Sequence, residues 1–295
     1  MLKLEHLAAL AEAHRAALAA PVADFSLRGR TLAFASRPAI MGVVNLSADS
    51  WYRESVCLSA AAAIARGHVL TAQGADIIDV GAESTLAQAA RVDEGLQQSR
   101  LLPVVRELAG AGVLVSVETY APAVAQAALA AGAAVVNLTG AEATEEIYRM
   151  VAAHDAAVII CYVAGRNVRE VGDFDLQADP MPRLRDYFAR EIDRARRCGV
   201  ERIILDPGLG FYYRNLQDSA VRVRHQMNVF LNTFRLRELG CPVCHALPHA
   251  FEFFEEEVRC AEPFFAVLAA LGKTSLFRTH EVPRIKAVLA TLDVW

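Results

Sequence analysis

From about residue 38 the apolar and polar positions settle into a repeated rhythm. Short β-branched runs, apolar almost throughout, alternate with Ala/Leu/Arg-rich segments of helical period. The runs at 39–45 (AIMGVVN), 76–81 (DIIDVG), 113–118 (VLVSVE) and 133–138 (AAVVNL) predict strands, as do those at 157–163, 202–208, 242–247 and 275–280. Helical segments fall between them at 59–73, 97–109, 121–131, 183–198, 216–238 and 282–292. Gly74, Gly112, Gly132, Gly199 and Gly240 stand where helices must stop before the next strand. Continuously apolar strands are those covered on both faces, as in a parallel sheet wrapped by helices. Eight strand–helix units over ~250 residues predict an α/β protein with a (β/α)8 TIM barrel. A doubly wound open sheet is the alternative, but no Gly-rich dinucleotide loop follows the first strand.

The first twenty residues follow a different pattern. Leu4, Leu7, Ala11 and Leu18 share one side of an amphipathic helix that ends before Pro21, and charged residues interrupt any signal-like core. The expected organisation is an N-terminal helical extension over 1–30 and the barrel over 31–295. With 54% hydrophobic and 22% charged residues the chain can bury a large core. A formal charge of −4 gives no electrostatic case for nucleic acid, and no apolar run reaches the ~18–20 residues that span a bilayer. Six scattered cysteines without an export signal point to reduced thiols in the cytoplasm. Cys241-Pro242-Val243-Cys244-His245 spells a haem-attachment pattern and, with His249, suggests zinc. Cysteines three apart on a strand face opposite sides, however, so the stretch reads better as the seventh barrel strand.

Barrel chemistry sits at the C-terminal ends of the strands. Those ends carry Asn45, then Glu83-Ser84-Thr85, Glu118, Asn137, Tyr162, Asp206, His245 or His249, and Arg278 with His280. Each could be a plain cap, but together they predict a polar ring around one mouth. Glu118, Asp206 and Asn137 suit a flat heterocycle rich in N–H donors, because a carboxylate accepts two parallel N–H bonds from a guanidine-like edge. Asn45, Arg278 and His280 come from strands one and eight, neighbours in a closed barrel, and suit phosphate or pyrophosphate.

Several stretches in the same order resemble the dihydropteroate synthase family: RPAIMGVVNLSADSW, GADIIDVGAEST, SVETY, VVN, ILDPGLGF and RTHEV. The matches run over roughly 37–285. The resemblance implies a TIM barrel, usually a homodimer, that joins a hydroxymethyl-dihydropterin pyrophosphate to p-aminobenzoate with Mg2+ present and releases pyrophosphate. It implies Asn45 on the pyrophosphate and metal side, with Asn137 and Asp206 holding the pterin. Arg278 and His280 would stabilise the departing anion, and Glu118 stands where the family has Asp.

The departures fall at the p-aminobenzoate end. Leu86-Ala87-Gln88 replaces the family's Arg-Pro-Gly, and the seventh strand ends Ala246-Leu247-Pro248-His249 instead of Ser-Arg-Lys-Ser. The three lysines, Lys3, Lys273 and Lys286, are not placed to substitute. Thr85 and His249 mark the possible second-substrate region, and Tyr162 is expected beside the pterin. The expected activity is transfer of a pterin to an aryl amine, p-aminobenzoate or a variant. The alternative is a pterin-binding paralogue without p-aminobenzoate recognition.

Overall fold

The computed structural model describes residues 1–47, 49, 52–84, 89–174, 176, 179–210, 213–216 and 218–295, with Arg53 and Arg214 described in their backbone only. Two short helices, α1 (Leu4–Ala13) and α2 (Arg15–Leu18), open the chain and break at His14. A hairpin follows, β1 (Phe25–Leu27) paired antiparallel with β2 (Arg30–Leu32). Arg28 and Gly29 both take positive φ at its two-residue turn, the conformation such a tight hairpin demands.

The barrel strands are β3 (Ala39–Asn45), β4 (Ile77–Gly81), β5 (Leu114–Thr119), β6 (Val135–Leu138), β7 (Ala157–Cys161), β8 (Arg202–Asp206), β9 (Cys244–Ala246) and β10 (Leu276–Thr279). All neighbouring pairs are parallel, in the order β8-β7-β6-β5-β4-β3-β10-β9. A parallel bridge between Leu205 and Val243 joins β8 to the β9 approach and closes the ring. The outer layer comprises α3 (Ala60–Gln73), α4 (Glu94–Gly110), α5 (Pro122–Ala130), α6 (Thr144–Ala153), α7 (Met181–Arg197), α8 (Ser219–Asn232), the four-residue α9 (Phe251–Phe254), α10 (Ala261–Leu271) and α11 (Val282–Leu292). All five predicted stop glycines have positive φ. Among the described residues no helix is long and apolar enough to cross a membrane.

Side chains alternate across each strand, so one parity faces the lumen and the other the helices. Ile78 and Val80 join the strand–helix core, whereas Ile77 joins Met41, Leu114, Val135, Ile159, Ile204 and Leu276 inside the barrel. The hairpin belongs to this inner cluster: Phe25, Leu27, Leu32 and Phe34 plug the floor. A boundary at residue 30 therefore falls inside an element that completes the barrel. The alternation of FSL and RTL around Arg-Gly is the local signal for it, and its role emerges only when the lumen needs an apolar stopper.

A further difference is local. The segment 216–238 is not one helix, because α8 gives way to a 3-10 stretch over Thr233–Leu239. After Pro248, α9 is followed by a 3-10 turn over Glu255–Cys260.

Candidate active site

Above the apolar floor, the inward parity turns polar on nearly every strand. Continuing up from Ile77 comes Asp79, from Leu114 come Ser116 and Glu118, from Val135 comes Asn137, from Ile204 comes Asp206, and from Leu276 comes Arg278. Glu118 lies in register with Asn137 and Gly81, and Asp79 with Ser116. A cavity of about 250 Å³ opens above them, lined by Asn45, Glu118, Asn137, Asp206, Arg278 and His280, with Ala246 to His249 on the β9 side.

Asp79 is the hub of the cavity floor. Fully buried, it accepts hydrogen bonds from Ser116 Oγ at 2.6 Å, Asn137 Nδ2 at 3.2 Å and Arg278 Nε at 2.7 Å. Arg278 also pairs through Nη2 with Glu118 at 2.5 Å, so its guanidinium bridges two carboxylates. The Asn137 amide is fixed from both ends, since its Oδ1 accepts from Cys161 Sγ at 3.3 Å. Each of its polar atoms retains capacity for one more bond.

Burial pushes Glu118 up to about 7; the nearby Arg278 opposes that rise, while Asp79, Asp206 and Glu83 add to it. Asp206, 4% exposed, is likewise pushed up by burial to about 6, opposed by the Gly208 N–H and by Arg278. That N–H donates to Asp206 Oδ1 at 2.8 Å, and Gly208 takes φ +77°, a turn that only glycine makes without strain. The Asp-Pro-Gly sequence therefore fixes the plane of the carboxylate it presents.

At the opposite side, the Asn45 amide nitrogen donates to Ser55 Oγ at 2.6 Å. His280 packs against the Tyr52 ring at 4.4 Å between centroids, and its Nδ1 lies 2.8 Å from Glu262 Oε1. His249 stands beside them, its Nε2 3.5 Å from the same Glu262 oxygen. Burial drives His249 down to about 3, with Glu262 opposing and His280 adding to the shift. Burial alone would raise Glu262; the His280 hydrogen bond and charge, with His249 and Thr279, outweigh it and hold the carboxyl below its ordinary value.

The structure thus gathers Asn45, Glu118, Asn137, Asp206, His249, Arg278 and His280 around one cavity. Tyr162 lies outside its lining, edge-on to Phe174 and Tyr187 behind the sheet. Thr85 and Leu86-Ala87-Gln88 lie outside the described residues. The C-x-x-C-H pattern builds no metal centre: Cys241 and Cys244 belong to different packed layers, and His245 Nε2 is 2.7 Å from Thr233 Oγ1.

Four contributors are not evident from strand ends. Asp79 sits mid-strand, and its signal is a lone carboxylate on the inward parity of an apolar run. Glu262 belongs to α10 and Tyr52 to the first loop, and neither carries a local signal. Arg169 is buried and donates to the Ser84 carbonyl at 2.7 Å and the Ala89 carbonyl at 2.5 Å. It thereby ties its own segment after β7 to Ser84 and Ala89, which follow β4.

A family model described as pterin binding enzyme matches residues 41–247. The dihydropteroate synthase of Mycobacterium leprae is 33% identical over 58% of this chain, a match that covers 62% of that enzyme's own length. That of Synechocystis is 34% identical, over 73% of each chain. The solved structure of Xanthomonas albilineans dihydropteroate synthase with 4-aminobenzoic acid superposes with a TM-score of 0.76 at 28% identity, over 92% of this chain and 97% of the other. The same enzyme in complex with 7,8-dihydropteroate gives 0.72 at 26% identity, over 92% and 97%.

Proposed function

Because the chain belongs to the dihydropteroate synthase family of pterin-binding enzymes, we propose that it transfers a hydroxymethyl-dihydropterin from its pyrophosphate to an aryl amine. The observation that carries this reading is the Asp206 carboxylate, locked in plane by Gly208 and sharing a cavity with the doubly anchored Asn137 amide. The amino-pyrimidine edge of a pterin offers parallel N–H donors to Asp206, and Asn137 both donates and accepts on the ring. Asn45, Arg278 and His280 line the other part of the cavity, where the pyrophosphate would lie.

The chemistry is a displacement at the pterin methylene carbon. The amine lone pair forms the new C–N bond, the C–O electron pair departs with pyrophosphate, and the amine proton passes to water. Burying the pterin between fixed dipoles positions that carbon, and donors aimed at the departing oxygens lower the barrier. Mg2+ fits the residues present: Asn45 offers a hard amide oxygen on an amide whose plane Ser55 fixes, with substrate oxygens completing the shell. When bound, it would neutralise charge developing on the leaving group.

One observation favours a second reading. Ala246, Leu247, Pro248 and His249 line the mouth where a family member would present Ser-Arg-Lys-Ser, and no lysine lines the cavity among the described residues. That arrangement is compatible with a chain that binds pterin without turnover. Mixing the protein with hydroxymethyl-dihydropterin pyrophosphate and p-aminobenzoate, then substituted aryl amines, and following pyrophosphate release separates the two. Amine-dependent release supports the transferase, and tight pterin binding with no release for any amine refutes it. A cytoplasmic homodimer belongs to the same reading, and light scattering on the purified chain tests the dimer.

A further inference from the structure

The proposed pyrophosphate faces an electrostatic difficulty. Among the described residues, the cavity lining carries the carboxylates of Glu83, Glu118, Asp206 and Glu252 against the guanidinium groups of Arg222 and Arg278. Arg278 already bridges Asp79 and Glu118, and Arg222 holds both oxygens of Glu252 at 2.8 and 2.9 Å. A dianionic group entering this mouth therefore meets little uncompensated positive charge.

We propose that His249, Glu262 and His280 form a binding site for a zinc-class divalent cation, with an open coordination position facing the cavity. Each residue offers one ligand atom, the three within 4.8 Å of one another, and Glu262 Oε1 faces both His249 Nε2 and His280 Nδ1. Tetrahedral zinc ligands at ~2.0–2.2 Å stand roughly 3.3–3.6 Å apart. The His249–Glu262 separation of 3.5 Å already meets that spacing, and the 2.8 Å His280–Glu262 contact needs to widen by only about half an ångström.

The surroundings orient the ligands. The Thr279 hydroxyl and the His280 N–H donate to Glu262 Oε2, which leaves Oε1 directed at both imidazoles. Fixing a ligating carboxylate through its other oxygen is the arrangement that tunes metal sites. Glu262 is fully buried, and its only ion-pair partners among the described residues are these two histidines. Both rings line the cavity while Glu262 lies behind them, so a bound ion would be shielded on the helix side and open towards the substrate. Two imidazoles and one carboxylate select zinc-like ions, whereas Mg2+ prefers an all-oxygen shell. The anion-holding role rests on the transferase reading; the metal site itself does not.

The test uses the full chain, freed of metal by chelation and titrated with Co2+ as a spectroscopic probe in the absence of pterin. The expected result is one Co2+ per chain, displaced by Zn2+, with a visible spectrum that changes on addition of inorganic pyrophosphate. His249→Ala and Glu262→Gln should each weaken Co2+ by at least about 100-fold, and Thr279→Val by about 10–100-fold, with circular dichroism unchanged. Because Glu262→Gln could impair folding, His249→Ala at the cavity surface is the decisive variant. Failure to saturate at one equivalent, or undiminished binding in His249→Ala, overturns the site. A spectrum indifferent to pyrophosphate overturns the open position. Pterin calorimetry on the chelated chain tests the pterin site separately, and amine-dependent pyrophosphate release tests the transferase reading.

Discussion

Replacing Asp206 by Asn tests the site at its most defined point. The substitution preserves shape and the bond from Gly208, but exchanges an acceptor-only edge for one that presents an N–H₂ to the ligand's own donors. Hydrogen bonds to a charged group are worth about 1.5–3 kcal/mol, which at 1.36 kcal/mol per tenfold is a roughly 10- to 150-fold loss of pterin affinity. The raised pKa adds a pH signature. Below about 6 the free protein holds Asp206 protonated, so a ligand that selects the carboxylate must expel that proton. Affinity should therefore climb by up to tenfold per pH unit as pH rises towards 6 and level off above it, a rise of about tenfold between pH 5 and 8. Isothermal calorimetry with 6-hydroxymethylpterin from pH 5 to 8 measures both. In Asp206→Asn the step at 6 should vanish, and any remaining dependence should centre near 7, where Glu118 titrates. A variant that binds within threefold of the wild type, or keeps the step at 6, would refute the placement of the pterin on Asp206.

Glu118 has a folded pKa raised to about 7, so its contribution to stability is fully present below its ordinary value near 4.5 and is lost as pH rises through 7. Urea midpoints of Glu118→Gln should accordingly fall less than those of the wild type between pH 4.5 and 8, and parallel curves would contradict the burial argument. Leu27→Ala, outside the eight strands but 1% exposed in the barrel floor, should cost about 2–5 kcal/mol in urea denaturation. A loss below about 1 kcal/mol would show that the hairpin is a dispensable appendage.

The order of eight strands and most of their helices was legible along the chain, because parallel strands buried on both faces are continuously apolar and helices must stop at residues such as Gly74 and Gly240; α6 and α10 lie outside the predicted segments. The meeting of Asn137 and Asp206 at one cavity was legible as well, since both stand at the C-terminal ends of their strands and Asp-Pro-Gly sets the local turn. Tyr162 shows the limit of that reading: the strand predicted over 157–163 stops at Cys161, which takes the inward position, and the Tyr162 ring packs behind the sheet.

Local pattern fixes which residues stand at a strand end and which parity they share; it does not fix which cation neutralises which carboxylate. Arg278 beside His280 reads as two donors for an anion, but the barrel places β10 two strands from β4 and three from β5, so that Asp79 and Glu118 meet the guanidinium across the lumen. Glu262 lies in an ordinary apolar helix and meets His249 and His280 only because α10 docks behind the mouth. Those pairings join residues 13 to 199 positions apart, so they follow from packing, where burial leaves each charge needing a partner that no neighbour in sequence supplies.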